Sequence, residues 1–188
     1  MTKAASLLPT SSAPRADAFP TRTVVTAAAA AGGAVAALLR FGLEVDGLVA
    51  AGLVVVLVVL TSIDLAERRL PNRIVLPAAG IALAIQVASR PDQAAEWILA
   101  SVAAAGALLV LALVYPGGLG LGDVKLALLL GAVLGQAVVA ALVLAFVSVI
   151  PVALYLLLRD GTKARRTVIP FGPFLAFGAI VVLFAAAP

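Results

Sequence analysis

Residues 126–158 form a run of 33 positions without one charged side chain. As a single helix the run would be about 50 Å long at 1.5 Å per residue, against a bilayer core of about 30 Å. It therefore reads as two spans that fold back on each other at Gly135–Gln136. The first of these, 123–135, is then short, about 20 Å. If its far end reaches one interface, its start lies below the opposite surface, and Asp123 stands at that start.

The rest of the chain fits the same solvent. It is 64% hydrophobic and 12% charged, where ordinary soluble domains carry about 25% charge. No soluble core hides so much apolar side chain. Further spans are expected at 23–43, 47–63, 73–89, 95–115 and 168–187, separated by segments rich in Gly, Pro or charge. The expected fold is an all-α, polytopic transmembrane helical bundle of about seven spans. Residues 1–22, rich in Ser, Thr, Pro and Ala, read as a disordered tail ahead of a transmembrane domain at 23–188.

Charge gives the orientation. With the N-terminus in the cytoplasm, Lys3, Arg15, Arg22, Arg68, Arg69, Arg73, Lys125, Arg159, Lys163, Arg165 and Arg166 lie inside and only Arg40 and Arg90 outside. That is a strong positive-inside bias. Merging the two spans around Gly135 would put Lys125 and Arg159 on opposite sides, so charge and length support the same hairpin. The net charge of +4 is scattered over loops. A nucleic-acid footprint is a patch or stripe on one face, so no nucleic-acid partner is expected.

The sequence contains no Cys and no His. Disulfides, Cys nucleophiles, Cys/His metal sites and a His general base are thereby excluded, and neither metal nor cofactor is expected. Of the nine acidic residues, Asp17, Glu44, Asp46, Asp92, Glu96 and Asp160 fall in the tail, in loops or near span ends and read as solvated charge. Glu67 sits among arginines as a surface ion-pair partner. Asp64 directly follows the span 47–63, where an acid is a functional candidate by default. Its alternative is an interfacial ion pair with Arg68. Asp123 follows Gly117-Gly118-Leu119-Gly120-Leu121-Gly122. An Asp there serves as a helix N-cap, but a cap does not explain a loop so rich in glycine, whose backbone another chain can approach closely.

In this topology both acids lie at cytoplasmic helix ends, at similar depth. Two carboxylates sharing a site do not both ionise easily. One charged and one neutral acid can activate water and polarise a carbonyl, the arrangement of aspartic proteases. Lys125 is about 200° around the helix from Asp123, so it need not face the pair, and its plain role is anchoring. A proton- or cation-coupled transporter using the same acids, or a non-catalytic subunit of a secretion machine, are the alternatives. A serine enzyme built on Ser62 or Ser148 lacks a Lys or His placed to activate it.

Asp64-Leu-Ala-Glu-Arg-Arg-Leu-Pro71-Asn72 resembles the prepilin peptidase motif of an Asp, a basic residue and Ile-Pro-Asn, with Leu70 in place of Ile. Gly120-Leu121-Gly122-Asp123-Val124-Lys125 is similar to that family's Gly-x-Gly-Asp-x-Lys motif, and Ile169-Pro170-Phe171-Gly172-Pro173-Phe174 to its last-helix signature. The three occur in the family's order, and the resemblance covers about 47–187. It implies a six-span peptidase core and catalytic Asp64 and Asp123. It further implies a site shaped by Gly120, Gly122, Lys125, Pro71, Asn72, Pro170, Phe171, Gly172 and Pro173. The implied substrate is the precursor of a type IV pilin, pseudopilin or Flp-type pilin with a short basic leader, cut at the cytoplasmic face of a bacterial inner membrane. Longer members carry paired CxxC motifs and also N-methylate the product. Without cysteine, this chain is expected to cleave and not to methylate. Presenilin-type proteases share Gly-x-Gly-Asp but add a Pro-Ala-Leu motif that is absent here.

Overall fold

The computed structural model describes residues 18–115, 118–161 and 169–185. Most of the expected tail and the basic loop at 162–168 lie outside the described residues. Among the described residues seven α-helices follow one another: α1 (Ala18–Phe41), α2 (Val45–Glu67), α3 (Asn72–Ser89), α4 (Ala94–Val114), α5 (Leu121–Leu134), α6 (Val138–Asp160) and α7 (Gly172–Ala185). Short 3₁₀ turns at Pro91–Gln93 and Gly135–Ala137 precede α4 and α6. The expected all-helical membrane bundle is the observed one. Residues 18–22, read as tail from their composition, are instead the first turns of α1.

Among the described residues five segments are long and apolar enough to cross a membrane: Thr21–Phe41, Val45–Glu67, Asn72–Ser89, Pro91–Val114 and Leu121–Arg159. The last is the uncharged run, and Gly135 divides it. Its φ of +55° is open to glycine and strained for other residues, and a Cβ there would meet the Trp97 ring at 3.0 Å. α5 therefore stops at Leu134 and α6 begins at Val138, after three intervening residues. α5 and α7 have 14 residues each, about 21 Å, whereas α2 and α6 have 23, about 34 Å.

α5 is the central helix and packs on α2, α3, α4 and α7. Leu126, Ala127, Leu130 and Ala132 are sealed from solvent, as expected of a helix apolar all round. Gly131 brings α5 against the backbone of α4, since a Cβ there would lie 2.5 Å from the Ser101 Cα. Small residues at such crossings let membrane helices approach closely. At one end of the bundle Arg90, the C-cap of α3, pairs with Asp46 in the first turn of α2. The opposite end gathers the close of α2 and the starts of α3, α5 and α7.

Candidate active site

α2 ends because Arg68 turns left-handed, at φ 53° and ψ 38°, with its N–H bonded to the Asp64 carbonyl at 2.8 Å. Asp64 is thus inside α2, one turn from its close. Pro71 follows as the N-cap of α3 at φ −71° and ψ 119°. Its ring fixes that φ in advance, and Asn72 is the first residue of α3.

α5 starts differently from the expectation. Gly120 is the N-cap, and Asp123 is the third helical residue, not the cap. The two close a reciprocal pair: the Asp123 N–H donates to the Gly120 carbonyl at 3.0 Å, and the Gly120 N–H donates to Asp123 Oδ2 at 3.0 Å. This resembles a capping box with the cap's side-chain half replaced by main chain. Gly122 explains part of the glycine run, since a Cβ there would stand 3.0 Å from the Leu70 Cβ. The start of α5 can therefore lie directly on the loop between α2 and α3.

These elements enclose a cleft of about 340 Å³ lined by Asp64, Arg68, Arg69, Leu70, Asn72, Gly120, Leu121, Gly122, Asp123 and Lys125. Asp64 is 6% exposed and Asp123 8%, and a charge on Asp64 acts on Asp123. No ion pair joins Asp64 to Arg68; Arg90 pairs with Asp46 at the other end of the bundle. Asp64 Oδ2 is buried without a hydrogen-bond partner.

Lys125 faces the cleft after all. Its Nζ donates to Asn72 Oδ1 at 2.8 Å, joining α5 to α3. From the last motif, Gly172 reaches the acids. A Cβ on it would lie 2.6 Å from Asp64 Oδ2. Phe171 packs behind it, with its ring centroid 5.0 Å from that of Phe146. Pro170 and Pro173 flank this start half-buried and do not line the cleft. Arg69 and Leu121 also line it, and sequence reasoning did not single them out. Among the described residues no cluster of three or more His, Cys, Asp or Glu side chains forms.

Fold and cleft together define a polytopic helical membrane protein that seats two buried carboxylates, from separate helices, in one recess at one end of its bundle. Residues 51–157 match the type IV leader peptidase family, and the chain belongs to that family. It is also 32% identical over 165 residues to a prepilin leader peptidase/N-methyltransferase of Bacillus subtilis (strain 168). The match covers 87% of this chain and 64% of that relative's length. No solved structure matches the chain.

Proposed function

We propose that this chain is an aspartic endopeptidase of the bacterial cytoplasmic membrane. Its substrates are precursors of type IV pilin-like, pseudopilin or Flp-type proteins, from which it cuts the leader at the cytoplasmic face. The observation that carries this reading is the convergence of Asp64 and Asp123, both buried and neither paired with a cation, in a single polar cleft. The family of the chain and the activity for which the Bacillus relative is named support it.

The chemistry needs the pair to hold one proton. The charged carboxylate takes a proton from a water molecule as its oxygen bonds to the scissile carbonyl carbon. The neutral carboxyl gives its proton to the carbonyl oxygen. Collapse of the tetrahedral intermediate returns that proton to the pair, the amide nitrogen leaves with the other, and the pair again holds one. The two acids titrate as a unit.

The test is cleavage of a synthetic prepilin-like polypeptide, with a basic leader ahead of an apolar helix, by the purified chain in phospholipid vesicles. Asp64→Asn and Asp123→Asn are each expected to abolish cleavage while the protein remains inserted and helical. Cleavage at the wild-type rate by either variant removes the two-aspartate mechanism, and no cleavage by the wild-type chain leaves the transporter or assembly-subunit readings.

A further inference from the structure

The two acids are held differently. Asp123 Oδ2 accepts the Gly120 N–H, whereas Asp64 Oδ2 is sealed from solvent and accepts no hydrogen bond. The structure against that oxygen is the first residue of α7. A glycine there is not called for by backbone conformation, because Gly172 is absent from the glycines of positive φ. Glycine also weakens a helix, by about 1 kcal/mol against Ala, and α7 has only 14 residues. The missing side chain is explained by space alone: a Cβ would enter within 2.6 Å of Asp64 Oδ2 and 3.2 Å of its Cγ.

The amides of this helix start point the same way. The N–H groups of Phe174 and Leu175 both turn back to the Phe171 carbonyl, at 3.0 and 3.1 Å. Pro173 has no N–H to give. Gly172 therefore offers the one amide of the first turn not spent within the helix, at a residue that lies against the Asp64 carboxylate.

We infer that Gly172 is a positioning residue for the hydrolysis: its missing side chain leaves the space that the Asp64 carboxylate occupies at the start of α7, and so sets the orientation of that carboxylate in the cleft. The inference rests on the proposed endopeptidase reading and assigns the Pro-Phe-Gly-Pro segment a part in the chemistry beyond breaking a helix. Phe171, whose ring packs at a tilt against Phe146 and Phe174, precedes Gly172 and anchors the start of α7.

Gly178→Ala provides the contrast. It lies in the same helix, where a Cβ would run into the Ala141 carbonyl and not the cleft. With the prepilin-like polypeptide in vesicles, Gly172→Ala is expected to lower kcat on the order of 100-fold, as a displaced catalytic group does. KM should stay within about two-fold, because an orienting role acts on the transition state and not on uniform binding. The pH midpoint of kcat should move. Gly178→Ala should lower thermal stability and leave both kcat per folded molecule and the pH profile as in the wild type. If Gly172→Ala keeps the wild-type kcat and pH profile while Asp64→Asn is inactive, this inference fails and the endopeptidase reading stands. If Asp64→Asn is itself fully active, the reading fails first. Should Gly172→Ala not fold, Asp64→Ala in the same molecule should restore folding by removing the atoms the new Cβ meets. Failure of that restoration overturns the assignment.

Discussion

Lys125 of α5 donates a hydrogen bond to Asn72 Oδ1 of α3 across 2.8 Å, tying together two helices whose starts border the same cleft. The two residues are 53 positions apart, one from each aspartate-bearing motif. The bond is exposed, so its net worth to stability is about 1 kcal/mol or less. Its effect on geometry is larger, because it fixes the register of the α5 start, and with it Asp123, against the loop that follows Asp64. Lys125→Met and Asn72→Ala are each expected to lower cleavage by a factor of roughly ten with only a small change in thermal stability. The double variant should lose little more than either single one. Equal and independent losses, measured in a double-mutant cycle, would contradict a shared role.

Gly131 sets the packing at the centre of the bundle. A Cβ there would lie 2.5 Å from the Ser101 Cα and 2.6 Å from the Ala100 carbonyl oxygen, both backbone atoms that a rotamer change cannot move. Gly131→Ala should therefore push α4 from α5 and lower stability by about 1–3 kcal/mol. Gly106, in α4, meets nothing within 4 Å at the same construction. Gly106→Ala should be neutral or stabilising by up to about 1 kcal/mol, from helix propensity alone. Thermal unfolding in detergent, followed by circular dichroism, separates the two. Equal stability of the two variants would mean that α4 and α5 are not held at backbone contact.

How much of this was legible in the sequence depends on the kind of signal. The spans and the break at Gly135 follow from length and charge, quantities that the bilayer itself constrains. The neighbours of each helix do not. Faces toward lipid and faces toward protein are both apolar in a membrane bundle, so the hydropathy period does not say which side of α5 packs on α4 and which on α3. For the same reason Lys125 could be placed by angle relative to Asp123 but not relative to Asn72. Asp64 and Asp123 stood out because acids near a membrane are few. The approach of Gly172 to Asp64 had no local signal, since a glycine at a helix start reads as a break until the carboxylate beside it is seen.

Arg68 is the non-glycine residue with positive φ among the described residues, at 53°. It holds the position after α2 where helices commonly place glycine. A left-handed conformation costs a residue with a Cβ roughly 1–2 kcal/mol. Arg68→Gly should therefore stabilise the protein by about 1 kcal/mol, visible as a higher midpoint in the same unfolding measurement, whereas Arg68→Ala should not. A drop in stability for Arg68→Gly would mean that the arginine side chain makes a contact worth more than the backbone relief.

Two acids that share one proton act as one device, so their removal is not additive. Asp64→Asn, Asp123→Asn and the double variant are expected to reach the same residual cleavage rate. The comparison is made at saturating substrate, so that binding differences drop out. A double variant slower than both single ones by the product of their effects would show two independent groups and exclude a shared water.

The orientation of the bundle is open to a direct measurement, because the chain contains no cysteine and each introduced thiol is the only one present. Arg69 lies at the cleft end and is exposed, while Asp92 and Gln136 lie exposed in the two 3₁₀ turns of the opposite end. By the positive-inside rule, the excess of Lys and Arg at the cleft end predicts that this end faces the cytoplasm. In intact cells a membrane-impermeant maleimide should label Asp92→Cys and Gln136→Cys, and should reach Arg69→Cys only after lysis. Labelling of Asp92→Cys and Gln136→Cys from opposite sides would unfold the turn at Gly135 and separate α5 from α6 across the bilayer. Labelling of Arg69→Cys from outside would leave the pair of acids intact but turn it to the wrong compartment. A leader held on the cytoplasmic side could then not reach the water between Asp64 and Asp123, however well the two carboxylates were placed.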